Sequence, residues 1–358
     1  MKIITIGKTA ALFAGAILLT ALVSGCISTP VIPQRPAAMP ALRADDATVA
    51  VRKAELGKIG GDSAVRGVMV YPGSWLSIEA DEVIAKVASY KFNRIYFVIS
   101  SEDELDGRLE ELFESAAKAG IPAYIAIRQR DYFPRFRGNA FVRLFKSEYP
   151  DMVKMAENIA DFADSLGDGA KVAGFTILLE PHRFNAAEQR NGGIDGCFVW
   201  SGNTFGIGLD NDALMNKTLN DAAKAAEKAN GINFTPAIAD FYHEWASEGK
   251  LSRGKIDEIA ALSTGSKEVL LFSSGNKPTA VAAGIKNEFS DAKLSRITLV
   301  FLVADHLSLD NTVFRRRNFK DYLHGMRYGL QKLNGKKAYN GFVTGPLRAL
   351  EYMCHEKE

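Results

Sequence analysis

Residues 66–99 read RGVMVYPGSWLSIEADEVIAKVASYKFNRIYFVI, and the order of patterns inside this stretch decides the fold class. A short apolar run, Gly67–Tyr71, is followed by a segment in which Ile78, Val83, Ile84 and Val87 recur at helical intervals. A second apolar run, Arg94–Ile99, then closes a strand-helix-strand unit. The unit continues. Leu105, Leu109, Leu112, Phe113 and Ala116 mark the next helix, and further strand candidates lie at Ala123–Ile127, Val172–Leu179, Asn233–Ala239, Glu268–Phe272, Ile297–Val303 and Tyr339–Val343. Helical stretches fall at Met152–Leu166, Leu214–Asn230, Lys255–Leu262, Thr279–Phe289 and Phe319–Leu333, with a closing helix from Pro346 to about Met353. Short buried strands alternating with amphipathic helices predict an α/β domain with a parallel sheet. A count of eight, in a domain near the usual size of about 250 residues, predicts a (β/α)8 TIM barrel. An open doubly wound sheet is the second choice. Against it, Tyr71-Pro72-Gly73-Ser74-Trp75 stands where such a sheet would carry its phosphate-binding glycines.

The chain ahead of this domain reads differently. Lys2 and Lys8 precede an apolar run from Thr9 to Val23, and small residues then lead into Cys26, as in a secretory signal. Residues 27 to about 62 contain Pro30, Pro33, Pro36 and Pro40, the Gly60-Gly61 pair and no countable periodicity, which predicts a Pro-rich, flexible tether. The expected organisation is therefore a signal peptide over 1–25, Cys26 and a tether over 26–62, and the barrel over 63–358. Loss of Lys2 and Lys8 with the signal takes the basic residues from 44 to 42, equal to the 42 acidic ones. A neutral mature chain offers no electrostatic argument for a nucleic-acid partner. Besides Cys26 there are only Cys197 and Cys354, too few for a disulfide framework; an oxidising compartment permits one bridge between them, but the spacing does not require it.

Val23-Ser24-Gly25-Cys26 resembles the lipobox of bacterial lipoproteins. The resemblance implies diacylglyceryl transfer to the Cys26 sulfur, acylation of the new N-terminus, and a membrane partner reached through that anchor. Ile27 rather than Asp after the cysteine implies the outer membrane in a host that has one.

In a (β/α)8 barrel the site is built at the C-terminal ends of the strands and in the loops that follow them. Trp75, Trp200 and Trp245 all fall in such segments, after the first, fourth and fifth strands, together with Tyr71, Tyr132, Phe133, Phe205 and Tyr242. Aromatic faces lining a polar cleft suit sugar rings, which are apolar on a face and hydroxylated at the edge. Carboxylates collect at the same rim: Glu180 ends the fourth strand, Asp305 follows the seventh, and Asp131 and Asp240 follow the third and fifth. Glycoside hydrolysis needs two carboxyl groups flanking the scissile bond, one protonated and one ionised. Arg128, His182 and His306 stand beside these acids as hydrogen-bonding or charge partners. A structural role for Glu180, neutralised by Arg128 or Arg183, is the alternative.

Arg66-Gly67-Val68-Met69-Val70 with a tryptophan shortly after it resembles the opening of glycoside-hydrolase barrels that begin Arg-Gly-Val-Trp. Glu180-Pro181 is similar to the Asn-Glu-Pro of glycoside hydrolase clan A. The resemblance implies Glu180 as acid/base and Asp305 in the place of the second carboxylate. Two positions depart from the clan pattern: Leu179 replaces the asparagine that hydrogen-bonds the sugar 2-hydroxyl, and Asp305 replaces a glutamate. The shorter acid widens the carboxyl separation, which favours inversion or the loss of catalysis.

His182, His243 and His306 with Asp240 and Asp305 form the only metal alternative, and neither His-x-His nor His-Glu-x-x-His is present. The expected chemistry needs no metal and no cofactor. The segment 185–211 is long for such a loop and carries glycines at 192, 193, 196, 202, 206 and 208, as lids and binding loops do. The sequence thus predicts an envelope lipoprotein with a glycosidase barrel acting on an oligo- or polysaccharide. A barrel that has lost catalysis and binds a glycan or a protein is the alternative.

Overall fold

A computed structural model of the chain describes residues 44–59, 64–71, 78–99, 104–127, 141–143, 152–167, 169–179, 197–199, 211–239, 249, 252, 254–265, 267–272, 296–302, 319–333 and 339–356. Ten strands are assigned among them: β1 Val65–Val70, β2 Arg94–Ile99, β3 Ala123–Ile127, β4 Phe141–Arg143, β5 Gly174–Leu179, β6 Cys197–Val199, β7 Phe234–Ala239, β8 Glu268–Phe272, β9 Arg296–Leu302 and β10 Tyr339–Gly345. The helices are α1 Asp46–Gly57, α2 Ala80–Ser89, α3 Gly107–Lys118, α4 Met152–Ser165, α5 Asn211–Lys228, α6 Gly254–Ala261, α7 Phe319–Leu333 and α8 Leu347–His355.

Eight of the strands close into a barrel in the order β1-β10-β9-β8-β7-β5-β3-β2, and every pair in it is parallel. The (β/α)8 architecture expected from the sequence is the one observed. The two remaining strands, β4 and β6, form a separate antiparallel pair in which Phe141 faces Val199 and Arg143 faces Cys197. At three residues each, they are too short to show a period in the sequence.

Strand alternation sorts the apolar residues into two cores. Residues pointing outward, such as Val68, Ile95, Phe97, Ile125, Phe175, Ile177, Phe234, Leu299 and Phe342, pack under the helices in one large cluster. Their neighbours Met69, Tyr96, Val98, Ala126, Ala237, Leu270, Val300 and Val343 fill the lumen. The helices meet the outer cluster with the faces their spacing predicted: Val83, Ile84 and Val87 on α2, and Leu109, Leu112, Phe113 and Ala116 on α3.

Two glycines let β10 close the ring. Gly341 and Gly345 have φ angles of 157° and 142°, where L side chains are rarely found. A Cβ on Gly341 would fall on the Val65 backbone, and one on Gly345 would lie 2.8 Å from the Met69 carbonyl oxygen. Gly67 serves a different purpose inside the lumen, where a Cβ would come within 2.9 Å of Val343 and 3.1 Å of the Tyr96 ring.

The structure corrects the expected tether at its C-terminal part. Residues 46–57 are helical and belong to the folded unit, which begins at Ala44. Asp45 caps α1, its side chain accepting from the Thr48 N–H at 2.7 Å. Val49 and Leu56 are buried, and Leu56 joins the outer core. Arg52, also buried, donates through Nη1 to the carbonyl oxygens of Met353, Cys354 and Glu356 at 3.2, 3.0 and 2.6 Å. These are acceptors that the end of α8 leaves without helical partners. Its guanidinium also lies 5.5 Å from the centre of the Phe319 ring. The Ala44 N–H donates to the His355 carbonyl at 2.9 Å, so the first and last elements of the unit are joined. Pro346 is the N-cap of α8 rather than its first helical residue.

Cys354 is a buried free thiol, so the bridge to Cys197 that the sequence left open is not formed. Among the described residues, no helix is long and apolar enough to cross a membrane. The expected helix over Thr279–Phe289 lies outside the described residues.

Candidate functional site

Because all eight barrel strands run the same way, their C-terminal ends share one mouth, and the inward side chains nearest those ends form its floor. Tyr71 directly follows β1, Leu178 is the second-last residue of β5, and Phe272 is the last of β8. All three are half-buried and pack on the lumen cluster. Between them the lumen shows Val98, Ala126, Ala237, Val300 and Val343, all buried. The described floor is apolar, and solvent reaches it at three points around the ring.

The other end of the barrel is closed by polar groups. Arg94, heading β2, places Nη1 2.8 Å from Glu268 Oε2 and 3.0 Å from the Tyr96 hydroxyl. Glu268 heads β8 and is buried. Its Oε1 also accepts from the Thr298 hydroxyl and, at 3.3 Å, from the Asn340 side-chain amide. The Arg94 guanidinium stacks 4.7 Å from the centre of the Tyr124 ring, and that ring stacks in turn on Tyr96 at 5.1 Å. Glycines make room for both tyrosines: Gly67 faces Tyr96, and a Cβ on Gly174 would stand 3.0 Å from the Tyr124 ring.

Burial alone would lower the pKa of Arg94, but Tyr96, Glu268 and Tyr124 around it outweigh burial and shift it upward. Burial raises the Tyr96 and Tyr124 phenols, and the Arg94 charge opposes that rise in both. These residues hold strands together at the face opposite the mouth, where invariant groups in such barrels serve stability. The sequence reading missed them. Its one available signal was a charged residue, Arg94 or Glu268, at the head of an otherwise apolar strand.

Of the expected site residues, Tyr71 is placed, at the C-terminal end of β1 and in contact with the lumen cluster. Glu180, Asp305, Trp75, Arg128, Asp131, Tyr132, His182, Trp200, Asp240, Tyr242, Trp245 and His306 lie outside the described residues, as does Cys26. Strand order fixes the spacing of the elements that lead to the two proposed acids. β5 and β9 are separated by β7 and β8, so they are three places apart in the ring of eight. Leu178 and Phe272 were not among the expected site residues, since apolar residues inside apolar strands read only as core. Among the described residues, no group of three or more His, Cys, Asp or Glu side chains could hold a metal ion.

No family model matches the chain, and no curated protein matches it by sequence. Solved structures resemble it in their course. A GH18 chitinase from Pseudoalteromonas aurantia is similar with a TM-score of 0.44 and 10% identity, over 77% of this chain and 92% of that one. The GH53 catalytic domain from Ignisphaera aggregans gives 0.43 and 13%, over 79% and 85%. Tryptophan synthase from Pyrococcus furiosus gives 0.41 and 12%, over 82% and 95%.

Proposed function

We propose that this chain is a cell-envelope lipoprotein, anchored through Cys26, whose barrel hydrolyses glycosidic bonds in an oligo- or polysaccharide. Glu180 is the proton donor and Asp305 the base or nucleophile. Tyr71, Trp75, Arg128, Asp131, Tyr132, His182, Trp200, Asp240, Tyr242, Trp245 and His306 supply the ligand-facing surface. The parity of β5 carries the reading: Leu178 points into the lumen at the floor of the mouth, and Leu179 points outward into the core beneath the helices. The sequence continues from there with Glu180, the acid proposed as proton donor. Apolar surroundings raise a carboxyl group's pKa and keep it protonated near neutral pH, as a general acid requires.

The test is release of reducing ends from a panel of neutral and charged glycans by the intact protein. Turnover of one class, reduced about 100-fold or more by Glu180→Gln, supports the assignment of a general acid. Full turnover by that variant removes Glu180 from the chemistry. Metabolic labelling with a palmitate analogue, abolished by Cys26→Ser, tests the anchor separately.

One observation favours the second reading, a barrel that binds a glycan or protein without cleaving it. Leu179 is 0% exposed, so the position held by asparagine in clan A faces the helices and offers nothing to a sugar. Binding without turnover that survives Glu180→Gln supports that reading.

A further inference from the structure

Among the described residues, the barrel lumen contains a buried hydroxyl that bonds to nothing in the protein. Thr176 lies between Phe175 and Ile177, which both point outward, so its side chain turns into the lumen. It is 2% exposed, and its Oγ1 has no hydrogen-bond partner. A hydroxyl left in that state has lost its water without replacement, and native interiors rarely tolerate it.

The surroundings are small and partly polar. On one side Thr176 pairs in register with Ala126 of β3, whose methyl group faces the same lumen. On the other it pairs with Thr235 of β7, also buried and, by the alternation that puts Phe234 outside and Ala237 inside, also inward. Barrel layers are usually filled by bulky branched side chains, whereas this row offers a methyl group and two threonines on three consecutive strands. The next strand, β8, opens with the Glu268 carboxylate. Leu270, two residues further along β8, pairs with Ala237.

We infer that an ordered water molecule occupies the lumen beside β5 and β7, held by the hydroxyls of Thr176 and Thr235 and facing the Glu268 carboxylate. Such a molecule needs two to four polar partners, which Thr176, Thr235 and the head of β8 supply, and small neighbours such as Ala126 in place of the usual bulky ones. The site lies between the polar closed end and the apolar floor of the mouth, and it stands whatever the barrel acts on. Thr176 donates to the water or accepts from it, and the water's second hydrogen is directed to Thr235 or Glu268.

The isosteric substitution Thr176→Val tests the inference on the full mature protein, because its two outcomes differ in sign. A water that loses a partner lowers the melting temperature by about 2 °C or more, the scale of one kcal/mol in a domain of this size. A bare hydroxyl replaced by a methyl group leaves the melting temperature unchanged or raises it, and that result overturns the site. Thr235→Val and the double variant extend the test: a shared water makes the two losses less than additive, and full additivity counts against it. A crystal structure beyond 1.8 Å resolution keeps the question open to refutation if Thr176→Val fails to fold. Ordered density is expected within about 3.2 Å of Thr176 Oγ1, and an empty lumen there refutes the inference.

Discussion

Arg94 and Glu268 stand on strands four places apart in a ring of eight, and their side chains meet at 2.8 Å across the lumen. The pair therefore spans the full width of the barrel, joining β2 to β8. Thr298 and Asn340 extend the same contact to β9 and β10. With side-chain exposures of 16% and 2%, the two charges are largely withdrawn from water.

Removing one partner of such a pair leaves the other buried and uncompensated. Arg94→Met or Glu268→Leu alone is expected to cost about 3–5 kcal/mol of stability, measured by urea unfolding. The double variant is expected to recover part of that loss, because no charge then remains buried. A double variant as unstable as the sum of the singles would show that the two residues act independently.

Gly341 and Gly345 are expected to tolerate no side chain. Alanine at either position meets the β1 backbone and an unfavourable φ, and is expected to destabilise the barrel by more than about 1–3 kcal/mol in thermal unfolding. Gly107, at the first position of α3 with nothing within 4 Å of its missing Cβ, is the control. Gly107→Ala is expected to be neutral or to stabilise by about 0.5 kcal/mol.

Helix α1 belongs to the barrel. A chain starting at Ala44 is expected to unfold at the same temperature as the full-length chain, and one starting at residue 60 well below it. Arg52→Ala is expected to lose about 2 kcal/mol, since it strips three carbonyl oxygens of their donor. Equal melting temperatures for starts at 44 and 60 would return this segment to the tether.

Burial pushes the Cys354 thiol up to about 11 from an ordinary value of 9.0, with Tyr90 beside it. A group held neutral in the folded state contributes stability that is complete below pH 9 and disappears as the pH rises through about 11, because only the unfolded thiol ionises freely in that window. Stability is therefore expected to fall over this range, and less steeply in Cys354→Ala. The buried Tyr90, Tyr96 and Tyr322 phenols, also shifted upward, retain part of the slope. Iodoacetamide at pH 8 is expected to label Cys354 only after denaturant is added, as read from its peptide by mass spectrometry.

The barrel was legible in the sequence because strand and helix periods alternate without interruption. Arg94–Ile99, Ala123–Ile127 and Glu268–Phe272 were expected with the ends they have. β10 runs two residues beyond its expected end because Thr344 and Gly345 pair with Phe301 and Leu302 of β9, a tertiary contact that overrides their turn-like character. Helix α1 was hidden for a related reason. Its buried face includes a charged residue, Arg52, and an arginine that satisfies the end of another helix looks solvent-exposed in a periodicity count. The Arg94–Glu268 pair was equally invisible, since residues 174 positions apart become neighbours only when the ring closes. At the mouth, the sequence nominated polar and aromatic residues by their place after each strand. It passed over Leu178 and Phe272, whose role as floor depends on which face of the strand stays open.

The hydrogen bond from Ala44 to the His355 carbonyl means that the folded unit begins and ends at one place on its surface. Its backbone is topologically close to a loop, with the order of elements set by their neighbours around the ring rather than by which one is first in the chain. A circularly permuted protein, joined by a few residues between 356 and 44 and opened between two other helices, would keep every strand pairing of the barrel.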